Sequence, residues 1–204
     1  MEEGNIPEQY RGKQLDIQEA RGFVSQQEAE KAFLRIRMML MDINRWDEVA
    51  GVASAQFIHT NYMGEAIEQT PREGDFIKID IPGPGTISGE GFDWVRITEI
   101  DDQPHEGFFQ LTVHPCSAPM SEDRYQASHF FKDFASSSFV VKKDGPDVHV
   151  YYYGRNEEVN LASDNAIDNV RNGLVGMGAK IGFSYPQWKA FLSGLLEKSE
   201  NQFD

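Results

Sequence analysis

Cysteine is all but missing. Cys116 stands alone in a chain of 204 residues, which excludes a disulfide framework and any metal site built on several thiolates. Long apolar runs are missing too: nothing approaches the roughly 18 consecutive apolar residues of a membrane helix. The opening "MEEGNIPEQYRGKQ" has no apolar stretch of the kind that marks a secretory leader, so a cytoplasmic protein is expected. Basic charge is scarce: 19 Lys and Arg stand against 33 Asp and Glu, a formal charge of −14. Such a chain repels nucleic acid unless a local basic cluster overcomes the average. The densest basic stretch, Arg35, Arg37 and Arg45, reads as the exposed flank of a helix rather than a phosphate-binding stripe.

Several catalytic and cofactor signatures are absent as well. The histidines at 59, 105, 114, 129 and 149 are scattered, and none has the helical spacing and partner carboxylate of a zinc site. The run Ser136, Ser137, Ser138 lies outside any Gly-x-Ser-x-Gly elbow. Pro82, Gly83, Pro84, Gly85, Gly89 and Gly91 form a loop that runs into a strand pattern and holds no lysine, so it lacks the helix N-terminus that a phosphate cradle needs. It is either a hairpin connection or a gating loop, with Gly83, Gly85, Gly89 and Gly91 as hinges. No metal and no cofactor is expected.

What remains is a globular composition, 40% hydrophobic and 12% aromatic, enough for one sizeable core. A single domain over 1–204 is expected, with 1–14 and 198–204 as loose termini. Ser25 and Glu28 form a capping box, and Ala29, Phe33, Ile36, Leu40 and Ile43 recur at three-and-four spacing. That predicts an amphipathic helix reaching Trp46. After Gly51 the period falls to two: "SAQFIHTNYM", "FIKIDI", "DWVRITEI" and "GFFQLTVH" alternate, and runs at 134–142 and 147–154 flank the turn signal "KDGP". "LDIQEARGFV" permits a further short strand at the start. The sum is α+β: a curved antiparallel sheet of about six strands, packed on this helix and on a second amphipathic pattern from Ser163 to Gly182. Gly173, Gly176 and Gly178 interrupt that second pattern. A last helix, capped by Ser184 and Gln187, carries Trp188, Phe191, Leu192, Leu195 and Leu196.

Among polar candidates, the thiol of Cys116 beside His114 reads as an incidental strand-end pair. His129 and Asp133 read as surface or hydrogen-bonded structural groups, and Arg155 near Glu157 and Glu158 as a solvated or locally paired cluster.

"MDINRWDEV" at 41–49, "EGDFIKIDI", "GFDWVRITEI" and "DNAIDNVRNGLVGMGAKI" come in an order that resembles the START-like, or helix-grip, superfamily, which includes polyketide cyclase-like and Bet v 1-like proteins. Coverage runs over about residues 15–182. The resemblance implies a sheet gripping a helix around a hydrophobic cavity that often holds a lipid-like or polycyclic ligand and only sometimes supports catalysis. Applied here, it makes Trp46, Trp94, Phe109 and Tyr152 cavity wall, with Arg96 or His114 as polar contact and an apolar small molecule as partner. Two alternatives stand beside it. One is an assembly module with a filled core, presenting the 185–196 helix to a protein partner or a second copy. The other is an enzyme using a cavity His or Asp.

Overall fold

The computed structural model describes residues 5–51, 55–80, 92–120, 132, 134–158 and 185–200. The expected glycine-bearing helix, the gating loop and the His129–Asp133 pair lie outside the described residues. The elements are β1 (Lys13–Gly22), α1 (Gln26–Met41), a 3-10 turn (Ile43–Arg45), α2 (Trp46–Ala50), β2 (Gln56–Thr60), β3 (Phe76–Asp80), β4 (Asp93–Gln103), β5 (Phe108–Pro115), β6 (Ser136–Asp144) and β7 (Asp147–Glu157), followed by helix α3 over 185–200. All strand pairs are antiparallel, in one seven-stranded sheet of order β1-β7-β6-β5-β4-β3-β2.

Local chemistry accounts for the boundaries. Ser25 Oγ accepts from the Glu28 amide at 3.2 Å, capping α1, and the stripe read from the sequence, Ala29, Phe33, Ile36, Leu40 and Ile43, is buried, with Ala32 beside it. The helix stops at Met41 rather than running on to Trp46, and Trp46 instead opens α2. Its indole Nε1 donates to Leu40 O at 3.2 Å, so the break turns the largest side chain into the core without leaving its donor unpaired. The "KDGP" signal closes a tight hairpin in which Asp144 faces Asp147, with Gly145 at φ 58°, a conformation that costs glycine little.

The first strand is longer than expected, ten residues at the sheet edge, paired along its length with β7. The N-terminal residues are docked rather than loose from Asn5 onward. Asn156 takes the Tyr10 and Arg11 amides on Oδ1, at 2.9 and 3.2 Å, and returns Nδ2 to Glu8 O at 2.9 Å.

One face of the sheet, the inner face, carries the core. Ile17, Ile77, Val95, Ile97, Phe109, Leu111, Phe139, Val141, Val150 and Tyr152 form one cluster with the buried sides of α1, α2 and α3. The apolar side of α3 is spent there: Phe191, Leu192, Leu195 and Leu196 are all buried. This corrects the expectation that residues 185–196 offer an apolar face to a partner or second copy; the chain's own core occupies that face. α3 also approaches α2 at backbone distance. A Cβ on Gly194 would lie 2.0 Å from Val49 O, far inside van der Waals contact distance, so only glycine permits this crossing. Arg35 Nη1, from α1, reaches Ser199 O at 2.8 Å and ties the far end of α3.

Candidate functional site

The starts of β2, β4 and β6 and the ends of β3, β5 and β7 meet at one end of the sheet, as the antiparallel register requires. At this end the inner face changes character. Over most of its area it is apolar, but here Ser137, Tyr152 and Glu157 come together on neighbouring strands β6 and β7. Ser137 Oγ and Tyr152 Oη are 2.9 Å apart, and the Tyr152 hydroxyl donates to Glu157 Oε1 in a long bond of 3.5 Å. Trp188 of α3 stacks on the Tyr152 ring at 5.1 Å and 19°.

Glu157 reaches this place through two local features. Asn156 adopts a left-handed backbone, φ 54°, which asparagine tolerates better than most residues. That breaks the two-residue alternation and turns the next side chain inward. Gly154 then clears the space: a Cβ there would collide with Glu157 Oε1. The result is a carboxyl only 8% exposed, whose pKa burial pushes up to about 7 against the opposing effects of Tyr152, Lys13 and Arg155. The Tyr152 phenol is pushed well above its ordinary value, first by burial and then by Glu157. A protonated Glu157 is a hydrogen-bond donor and acceptor on an apolar wall, and an ionised one is a buried anion. Both states are accessible near neutral pH.

Farther along the same end, Asp93 opens β4 opposite Ile79, on the inner side with Val95. It is 1% exposed, and its Oδ1 has no hydrogen-bond partner among the described residues. Below this rim the interior is filled with rings. Trp46 lies 5.4 Å from Phe57, 5.0 Å from Phe139 and 5.2 Å from Phe191, and Phe139 lies 5.3 Å from Tyr152 and 5.0 Å from Trp188.

The residues singled out from the sequence do not share one face. Trp46, Phe109 and Tyr152 belong to the inner core, all at 1% exposure or less. Trp94, Arg96 and His114 lie on the opposite, outer face, where Trp94 pairs with Lys78 and Arg96 with His114. The alternation that puts Val95 and Ile97 inside requires this. Arg96 is exposed there, and burial lowers the pKa of His114, partly offset by a hydrogen bond to the Ala135 backbone. Cys116 is not a poised nucleophile: burial pushes its thiol up to about 12, and Arg96 offsets that only in part.

Sequence reasoning missed Ser137, Asp93 and Glu157, and treated the Arg155 to Glu158 segment as solvated or locally paired. Arg155, Asn156 and Glu157 are in fact buried. Arg155 is held by Asp16 on the neighbouring strand and by Gly154 O. The readable signal was the pair Gly154 and Asn156 interrupting a tyrosine-rich strand.

A concavity of about 550 Å³ is lined by Arg37, Met41, Asn44, His59, Glu68 and Thr70 among others. His59 Nε2 is 2.9 Å from Asp75 Oδ2, and Asn44 Oδ1 accepts from the His59 amide at 2.7 Å while its Nδ2 donates to Ile67 O. These bonds pin the 61–75 connection to β2. Among the described residues no cluster of three or more His, Cys, Asp or Glu is arranged to hold a metal ion, and no helix is long and apolar enough to cross a membrane.

With N-terminal strand β1 paired to β7, the other strands in meander order and α3 seated on the inner face, the architecture is settled. The fold is a helix-grip fold. No protein-family model and no curated protein sequence matches the chain. Among solved structures, the hypothetical protein jhp0584 from Helicobacter pylori is 12% identical, with a TM-score of 0.53 and coverage of 93% of this chain and 89% of that one. A STAR-related lipid transfer protein from Xanthomonas axonopodis is 14% identical, with a TM-score of 0.45 and coverage of 88% of this chain and 85% of that one. At such identity the likeness to the Helicobacter pylori protein is one of fold alone.

Proposed function

We propose that this helix-grip chain binds a small, largely apolar molecule between the inner face of its sheet and the C-terminal helix, at the sheet end where Ser137, Tyr152 and Glu157 meet. The observation that carries the reading is a partly buried hydroxyl, that of Ser137, meeting a buried phenol and a buried carboxyl on an otherwise apolar wall. Ligand pockets combine a mostly apolar lining with a few convergent polar groups that fix orientation. The ring cluster of Trp46, Phe57, Phe139 and Phe191 forms the floor of the proposed space and Trp188 one side. No covalent step is assigned to it.

Two measurements test the reading. Native mass spectrometry of the purified protein, compared with its denatured mass, is expected to reveal a co-purified adduct of a few hundred daltons. Titration with the neutral apolar dye Nile red is expected to give saturable, one-site binding that Tyr152→Ala weakens at least about fivefold, with the variant's folding confirmed by circular dichroism. No adduct together with no saturable dye binding would refute it.

A further inference from the structure

Asp93 bears on what the proposed ligand looks like. A buried carboxylate oxygen is ordinarily satisfied by a donor, because leaving it bare forfeits the hydration it had in the unfolded chain. Asp93 is 1% exposed and its Oδ1 has no partner among the described residues. It stands at the start of β4, on the inner side of the sheet end that also holds Glu157. β5 and β6 separate β4 from β7, which puts the two carboxyls roughly 14 Å apart from the strand spacing. This end of the sheet therefore carries an acidic group on each side, and one of them offers an acceptor unfilled by the described residues.

We propose that the ligand presents a hydrogen-bond donor, an alcohol or a protonated amine on an apolar body, to the free oxygen of Asp93, and that anionic heads such as fatty carboxylates are rejected. This rests on the binding reading above. A carboxylate head would meet like charge at Asp93 and would drive Glu157, already carrying a raised pKa, toward its protonated form. An ammonium or hydroxyl head instead supplies the missing donor, and a charge-assisted bond of this type is the stronger kind.

The probes are decan-1-ol, decylamine and decanoate, each used below its micellar range to displace Nile red from the intact chain. The alcohol and the amine are expected to displace the dye at concentrations at least about tenfold below decanoate. Asp93→Asn, which keeps the shape and removes the charge, is expected to close most of that gap while Nile red itself still binds. Repeating the series at 0.15 and 0.5 M salt separates the site from adsorption of the amine to a surface of charge −14, because the latter is screened. Decanoate displacing as well as the alcohol overturns the proposal, as does an order of preference unchanged in Asp93→Asn. If that variant fails to fold, the wild-type order alone decides. Absence of saturable Nile red binding to the wild type overturns the binding reading itself, a different outcome from binding with the wrong preference.

Discussion

Replacing Glu157 by glutamine should alter stability in a pH-dependent way that isolates this one carboxyl. Its pKa rises from an ordinary 4.5 to about 7 in the folded chain, so the native state binds the proton more tightly than the unfolded state does. At pH below the unfolded value both states are protonated and the group costs nothing. As pH rises from about 4.5 to about 7 the unfolded chain releases the proton first, and stability falls; above about 7 the full cost of a buried anion is present. At about 1.4 kcal/mol for each tenfold change, the window corresponds to roughly 3 kcal/mol as an upper bound. Glutamine keeps the shape and an acceptor for the Tyr152 hydroxyl without the charge. Glu157→Gln is therefore expected to lie within about 1 kcal/mol of wild type at pH 5 and to be about 2 kcal/mol more stable at pH 8. Urea unfolding of both proteins, followed by tryptophan fluorescence at pH 5, 6, 7 and 8, gives the difference directly. With a typical urea slope of about 2 kcal/mol per molar, the midpoint should shift by about 1 M at pH 8. A difference that stays flat with pH, or a variant that is less stable at pH 8, would refute the assignment of a buried, proton-binding Glu157.

Gly194→Ala is expected to destabilise the chain by about 2 kcal/mol or more, since its Cβ would collide with Val49 O at the crossing of α3 and α2; thermal unfolding of the variant reads this directly. Cys116, its thiol pushed up to about 12 by burial, should be alkylated by iodoacetamide at pH 8 at least about a hundredfold more slowly in the native state than in urea, a ratio followed by intact mass.

Much of the architecture could be read from the chain as a string. The spacing of Ala29, Phe33, Ile36 and Leu40 after Ser25 dictates one amphipathic helix and its starting point. The alternation in 76–80, 93–103 and 108–115 dictates strands and which side chains share a face, because a strand has no other period to offer. Read strictly, that alternation already separates Trp94, Arg96 and His114 from Phe109, so grouping them around one cavity set residue chemistry above strand parity. The paucity of cysteine and of basic charge bounds the chemistry without any structure.

The candidate site is a different matter, for it consists of residues that no local pattern brings together. Ser137 and Tyr152 meet because β6 and β7 pair in one register. Glu157 turns inward because Asn156 takes a left-handed backbone beside a glycine. Asp93 loses water because β4 starts inside the sheet rather than at its edge. The closing helix shows the same division. Its apolar stripe was plain in the sequence, but a stripe fits a partner's groove as well as the chain's own core. Only the packing of Phe191 against Trp46, and of Gly194 against the Val49 backbone, decided that it faces inward. Periodicity is a local property and survives in the sequence, whereas burial, and with it the pKa of Glu157, depends on which distant segments exclude water.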